Sequence, residues 1–165
     1  MKSKKTITTM QTTMEAWFLL IAGLFLGTVF TFGMQYWNAP VARDDAIHAT
    51  VVFSSYTERR SDGHVKEIIV RFEDHDQLYI DGSCINEQVR DGLETIAPGM
   101  KVDLLIHPNS NTILDFRMGN SVVLEFENTS EKLASEATGF WGLGLFLYIL
   151  AAYGLFNLVF QKRRS

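Results

Sequence analysis

The stretch from Ala16 to Trp37 most constrains what this chain can fold into, because it contains 22 consecutive residues without a formal charge. A helix that rises about 1.5 Å per residue needs about 20 apolar residues to span a hydrocarbon core of about 30 Å. A second uncharged run, Gly139 to Phe160, has the same length. Trp17 and Tyr36 lie near the two ends of the first run, as is typical of membrane-interface anchors. The sequence therefore predicts two transmembrane helices, with the lipid bilayer as the first expected partner.

A cleaved signal peptide is the alternative interpretation of the first run, since a basic segment precedes it. Signal h-regions are about 7 to 15 residues long and end at a small-x-small site. The run is longer than that, and the nearest candidate site, Pro40-Val41-Ala42, has proline where a small residue is required. The pattern favours a retained helix.

Charge is distributed unevenly around the net value of −4. Both tails are basic, whereas residues 38–138 carry 9 Lys and Arg against 18 Asp and Glu. Positive residues close to a span are retained on the cytoplasmic side. We therefore expect a multi-pass protein of the cell membrane with both termini cytoplasmic and residues 38–138 extracytoplasmic. The expected topology anchors are the basic tail residues Lys2, Lys4, Lys5, Lys162, Arg163 and Arg164.

Between the two runs the apolar pattern changes to a period of two, which is typical of strands. The pattern predicts strands over residues 48–56, 65–72, 77–81, 101–107, 112–118 and 121–127, and a helix over residues 86–96. On the last two strands we expect the buried faces to be Leu114, Phe116 and Met118, and Val122, Leu124 and Phe126. So few strands must curl or be covered to bury one face. The predicted fold class is a membrane α+β protein, in which two transmembrane helices flank a small antiparallel β-barrel or curled sheet, OB-like, with five to six strands plus one short helix.

The domain organisation follows from these segments. We expect a cytoplasmic basic tail (1–15), transmembrane helix 1 (16–37), a linker (38–45), an extracytoplasmic β-rich domain (46–128), a juxtamembrane helix that continues into the next segment (129–138), transmembrane helix 2 (139–160) and a second cytoplasmic basic tail (161–165). Within the first tail, residues 1–14 are expected to be disordered or to lie loosely on the membrane.

Glycines mark the expected contact faces of the two spans. Gly23 and Gly27 have the G-x-x-x-G spacing that lets another helix approach closely. Gly142 and Gly144 lie in an apolar run and are interpreted as helix-packing residues, not as a phosphate-binding loop. The expected partner of the first face is the second span of the same chain, and the alternative is a second copy of the chain.

Residues with catalytic or metal-binding chemistry form no recognisable site in the sequence. His48, His64, His75 and His107 lack metal-ligand spacing and are interpreted as solvated residues at strand ends and turns. The acidic run 73–76 is interpreted as a solvated turn, since it lacks the full set of oxygen ligands that calcium takes. We therefore expect no metal site, no cofactor and no catalytic residue.

The cysteine, the missing motifs and the charge of the middle domain also argue against a catalytic or nucleic-acid-binding role. Cys84 is the single cysteine, is expected to be a buried inert thiol, and cannot form an intramolecular disulfide. No G-x-S-x-G or Walker motif is present. Nucleic acid is excluded as a partner, because phosphate binding needs a positive groove and the middle domain is acidic. The spans carry no ionisable residue, so we do not expect transport by this chain alone.

The segment Gly99 to Asn111, GMKVDLLIHPNSN, resembles a family of bacterial two-pass membrane proteins of unknown function. Gly99, Val102 and Pro108 match a Gly-x-x-Val strand that runs into an x-Pro-x-Asn turn, although the aromatic residues usual before the proline are absent. The resemblance implies a bacterial cytoplasmic-membrane protein with a small β-rich domain between two spans. It offers no catalytic residues.

We therefore expect a non-enzymatic membrane protein that displays an acidic β-domain outside the cytoplasmic membrane as an interaction or scaffold module. One alternative is an accessory subunit of a channel, transporter or secretion complex that acts through its two helices. Another is an envelope sensor or enzyme. The expected protein partner is another membrane protein or a second copy of the chain.

Overall fold

The structure is a computed structural model that describes residues 2–162, with side chains for residues 13–160 apart from 35 and 38. The chain divides into two compact units. The helical unit comprises Met1–Trp37 and Glu136–Ser165, and the sheet unit comprises Asn38–Ser135. The predicted topology anchors lie outside the described side chains: Lys2, Lys4, Lys5, Lys162, Arg163 and Arg164.

The first long helix contains a stretch, Thr13–Gly33, that is long and apolar enough to cross a membrane. It consists of α1 (Lys2–Thr28), a π-helical turn (Val29–Gly33) and the short α2 (Met34–Asn38). The expectation of disorder over residues 1–14 is wrong, because α1 begins at Lys2. Extending an established helix costs far less than starting one, so the helix of the span propagates into the tail.

The last helix, α4, runs without a break over Phe126–Lys162. It also contains a stretch that is long and apolar enough to cross a membrane. The helix begins at Phe126, three residues before the predicted start at residue 129. Thr129 therefore lies in the first turn, where its hydroxyl donates to the Glu125 carbonyl at 2.9 Å. Residues 129–138 and 139–160, predicted as a juxtamembrane helix and a span, therefore lie in one continuous helix.

Large apolar side chains of both long helices are not covered by other residues of this chain. Phe18, Phe25 and Phe32 are 70%, 67% and 66% exposed, and Ile149 is 65% exposed. Apolar surface costs about 25 cal/mol per Å² when it faces water. These side chains are suited to a hydrocarbon environment.

The sheet unit contains a six-stranded open sheet with the order β3-β2-β1-β4-β5-β6, in which all neighbouring strands are antiparallel. The strands are β1 (Ile47–Ser61), β2 (His64–Phe72), β3 (Leu78–Asp81), β4 (Lys101–Ile106), β5 (Ile113–Met118) and β6 (Ser121–Leu124). One short helix, α3 (Glu87–Thr95), follows β3 in the chain. The prediction of an antiparallel β-domain with one short helix between two apolar helices is confirmed.

The long strand β1 belongs to both halves of the sheet. Its first part, Ile47–Val52, pairs with β4, and its second part, from Phe53 onward, pairs with β2 with a register shift between Phe53 and Ser55. The β1–β2 turn has Asp62 at φ 52° and Gly63 at φ 81°. Two central residues with positive φ are typical of the type I′ turn, whose twist matches that of paired strands.

The two halves of the sheet also approach each other at the start of β5. Tyr79 of β3 forms a single parallel bridge with Thr112, and the Tyr79 N–H donates to the Asn111 carbonyl at 2.8 Å. The contact is limited to this bridge, so β3 and β6 remain the edges of the sheet.

The helix α3 covers the main core of the sheet unit. The Asn86 side chain caps it by accepting from the Val89 N–H at 2.9 Å. Val89, Leu93 and Ile96 are buried, as their spacing predicts. They pack with apolar residues that alternate along the strands, among them Val51, Phe53, Ile68, Val70, Phe72, Leu78, Ile80, Val102, Leu104, Ile106 and Phe116.

Register shifts overturn the predicted faces of the last two strands. Leu105 pairs with Asp115 and Ile106 pairs with Ile113, which leaves Leu114 as an extra residue that packs in a second apolar cluster. Such a bulge turns a side chain to the other face of a sheet.

A second register shift lies between β5 and β6. Phe116 pairs with Leu124 and Arg117 pairs with Val122, so that Val123 is the extra residue. Val123 is 2% exposed and packs beside Gly92 of α3, whereas Val122, predicted to be buried, is 36% exposed.

This pair of valines gives a matched test of the β6 register. We expect Val123→Ala to lower the free energy of unfolding by about 2 kcal/mol, because it removes buried methyl groups and leaves a cavity. Val122→Ala should change it by less than about 0.5 kcal/mol. Chemical denaturation of the full chain in detergent micelles measures both. A larger loss for Val122→Ala than for Val123→Ala would contradict the register.

Candidate functional site

Small residues form the contact between the two long helices. A Cβ atom at Gly23 would lie 2.8 Å from the Leu147 carbonyl oxygen and 3.0 Å from Ala151 Cβ. A Cβ atom at Gly154 would lie 2.7 Å from the Ala16 carbonyl oxygen. Early residues of α1 thus meet late residues of α4. The two helices therefore pack antiparallel, with their backbones in close approach.

The predicted glycines do not all take part in this contact. A Cβ atom at Gly27 would lie 3.3 Å from the Gly144 carbonyl oxygen, and one at Gly144 would lie 3.1 Å from the Gly27 carbonyl oxygen. Gly142 has no described atom within 4 Å of its Cβ position and faces away. Gly154 takes its place, although its isolated position in the sequence has no G-x-x-x-G signal.

Two threonines of the first long helix lie at this contact. The Thr28 hydroxyl donates to the Leu24 carbonyl at 2.8 Å, so the Tyr148 hydroxyl, 3.0 Å away on α4, donates to Thr28. Thr31 lies in the π-helical turn and contacts Gly144, and its buried hydroxyl has no hydrogen-bond partner among the described residues. A side chain at Gly144 would therefore collide with Thr31 and with the backbone around it.

A second candidate site lies on the face of β1, β4 and β5 that is opposite the main core of the sheet unit. The register places two rows of three side chains there: His48, Leu105 and Asp115, and Thr50, Asp103 and Arg117. All of these side chains except that of Thr50 line a cleft of about 200 Å³, together with Arg43. We call it the Arg117 cleft.

Buried Asp115 organises the charges of the Arg117 cleft. Its side chain is 3% exposed, and it accepts from Arg43 Nη2 at 2.7 Å and from Arg117 Nε at 3.0 Å. Both arginine side chains are 41% exposed. A buried carboxylate is stable only with such partners. The hydrogen bond and the charge of Asp115 raise the pKa of Arg117 above its ordinary value.

Arg43 also joins the segments at which the chain enters and leaves the sheet unit. It donates to Glu127 at 3.0 Å, and its guanidinium lies 5.4 Å from the centre of the Phe126 ring. Phe126 belongs to the second apolar cluster. This cluster is formed by Ala46, Leu105, Leu114, Phe126 and Leu133, with Val41 packed against it. The signal for this arrangement in the sequence is Asp115, a charged residue between two apolar ones in a strand.

One histidine differs from the prediction. His107 is 1% exposed; its Nε2 donates to the Ala39 carbonyl at 3.0 Å, and its Nδ1 accepts from the Asn109 N–H at 3.1 Å. This is the neutral tautomer with the proton on Nε2. His107 is therefore a structural residue that holds the incoming segment against the end of β4. The other three histidines are exposed: His48, His64 and His75.

The contacts of the acidic turn 73–76 and of Cys84 indicate structural roles for both. Asp74 accepts from the Val52 N–H at 2.9 Å and so closes the end of the β1–β2 pair. Within the described residues, no group of three or more His, Cys, Asp or Glu side chains could hold a metal ion. Burial raises the pKa of the Cys84 thiol, which keeps it protonated and poorly nucleophilic at neutral pH.

Comparison with family models, with curated proteins and with solved structures finds no match to this chain.

The two glycines of α4 give a matched test of the helix contact. We expect Gly144→Ala to destabilise the helix pair by about 1 to 3 kcal/mol, because the added methyl group must push Thr31 and the Gly27 backbone away. Gly142→Ala should be neutral within about 0.5 kcal/mol. Titration of mixed micelles with sodium dodecyl sulfate measures the loss of the pair. Equal effects of the two variants would contradict the described contact.

Proposed function

We propose that this chain is a two-pass protein of the bacterial cytoplasmic membrane that displays its acidic β-domain on the outer side as a non-enzymatic interaction or scaffold module. One observation carries the proposal: two apolar helices flank the domain in the sequence and pack antiparallel. An antiparallel pair has both chain ends at one of its ends, and the basic charge of both tails favours the cytoplasm for that end.

We further propose that the domain is an OB-like, partly closed barrel. The strand order, the helix after β3 and the use of β1 by both halves of the sheet support this assignment. So does the parallel bridge between Tyr79 and Thr112, since it brings β3 next to the start of β5 and so links the two halves of the sheet. The resemblance around Gly99 to Asn111 fits the same architecture, and we propose membership of that family of two-pass proteins.

An accessory subunit that acts through its helices is the second candidate. The open side of α4 favours it, because Gly139 and Gly142 are exposed and leave room for another helix. The two candidates differ in the surface that the partner contacts. In the first it is the sheet unit, and in the second it is the outside of the helix pair.

Site-specific photocrosslinking separates them. A photoreactive phenylalanine analogue is placed at Thr57 or Val122, exposed in the sheet unit, and at Phe25 or Ile149, exposed on the helices. The proposal predicts that illumination of native membranes joins the sheet positions to another membrane protein or to a second copy of the chain. Crosslinks from the helix positions alone would favour the accessory subunit. A chain that is crosslinked from no position would contradict both candidates.

A further inference from the structure

The Arg117 cleft has hydrogen-bond donors that the protein itself does not use. Asp115 takes only the Nε–H of Arg117, and the two terminal amino groups of that guanidinium have no partner among the described residues. His48, on the neighbouring row, is exposed and makes no described hydrogen bond. Asp115 thus fixes the inner edge of the Arg117 guanidinium, and the outer edge remains available.

The outer edge of a guanidinium fixed in this way presents parallel N–H groups. Such a fork matches the two oxygens of a carboxylate, and a charge-assisted bidentate contact is stronger than a neutral one. Leu105, 4% exposed, lies between His48 and Asp115 in its row and provides an apolar floor. The cleft therefore combines anion-binding groups with space for a short aliphatic part.

Size and charge limit the ligand further. A volume of about 200 Å³ is below the 300 to 1,000 Å³ typical of pockets for drug-sized ligands, so it suits a few non-hydrogen atoms. Asp103 lies opposite Arg117 in the register, and one of its oxygens accepts from the Thr50 hydroxyl at 2.6 Å. Asp103 and Asp115 balance Arg43 and Arg117 in the lining, and because the charges of Glu125 and Glu127 also act on Arg117, the surroundings of Arg117 carry a net negative charge. Such surroundings favour a single negative charge over a dianion.

We propose that the Arg117 cleft is a binding site for one carboxylate group, held by the outer edge of Arg117 and by His48, with Asp115 as the positioning residue. The group belongs either to a small free acid or to an acidic side chain of a partner protein. The second source deepens the proposed interaction role, since the cleft would then receive one anchoring side chain. The first source needs no partner protein.

Calorimetric titration of the full chain in detergent micelles tests the site. The probes are acetate, its neutral analogue acetamide, sulfate at matched ionic strength, and blocked peptides that differ only in one Glu or Gln. We expect acetate or the Glu peptide to bind, and acetamide, sulfate and the Gln peptide to bind more weakly. Tighter binding of the Glu peptide than of acetate identifies a partner protein as the source, and the reverse identifies a free acid.

Variants connect binding to the cleft. Arg117→Lys keeps a cation beside Asp115 but removes the fork, so we expect affinity to fall about tenfold, the loss of one charge-assisted hydrogen bond. Arg59→Lys is the matched control on the exposed β1–β2 hairpin, where Arg59 pairs with Glu67 at 2.9 Å, and it should not change affinity. His48→Ala removes an exposed side chain, should weaken binding several-fold and tests the site independently if Arg117→Lys unfolds.

Three results would overturn the site: no binding of acetate or of the Glu peptide, sulfate binding tighter than acetate, or equal affinity of the wild type and the folded cleft variants. The proposed interaction role is tested separately by crosslinking. Carboxylate binding without a crosslinked partner, and a crosslinked partner without carboxylate binding, are distinguishable results.

Discussion

In a bilayer, two apolar helices would gain nothing from hydrophobic burial against each other, because lipid tails are as apolar as leucine. Their association would depend on close approach of the two backbones. This chain permits that approach, because glycine and alanine lie at the contacts between the two helices. Gly23 and Gly27 meet Ala151 and Gly144, and Gly154 meets the backbone at Ala16. The antiparallel order of these contacts determines that both chain ends lie at the same end of the pair. The proposed topology depends on that order.

The sheet unit is stabilised by an apolar core and by an ion-pair network. Its main core forms from residues that alternate along the strands and from three residues of α3. Its outer face carries a buried carboxylate, Asp115, that is satisfied by two arginines. Arg43 lies in the incoming segment and also contacts Phe126 and Glu127, where the chain leaves the sheet. One ion-pair network therefore holds both connecting segments and orients the free edge of Arg117 in the proposed site.

Regular periodicity made much of this fold predictable. The strands with strict alternation and the short helix with Val89, Leu93 and Ile96 occur where the sequence predicts them. The faces of Leu114 and Val122 were not predictable, because each depends on a bulge that only pairing with a neighbouring strand produces.

The candidate sites were predictable only in part. A G-x-x-x-G pattern marks Gly23 and Gly27, but the partner face of α4 follows from helix geometry that spacing alone does not define. The Arg117 cleft joins residues from three strands and an incoming segment that are far apart in the chain. Only the charge of Asp115 within an apolar strand signalled it. The burial of His107 likewise depends on a distant carbonyl, that of Ala39.

Cysteine labelling in right-side-out spheroplasts tests the central claim most directly. In a Cys84→Ser background, Arg59→Cys places a thiol at an exposed site of the sheet unit, and Ser165→Cys places one in the basic tail. If the sheet unit lies outside and both tails lie in the cytoplasm, a membrane-impermeant maleimide labels Arg59→Cys at once and labels Ser165→Cys only after the membrane is permeabilised. Immediate labelling of Ser165→Cys together with protection of Arg59→Cys would contradict this topology.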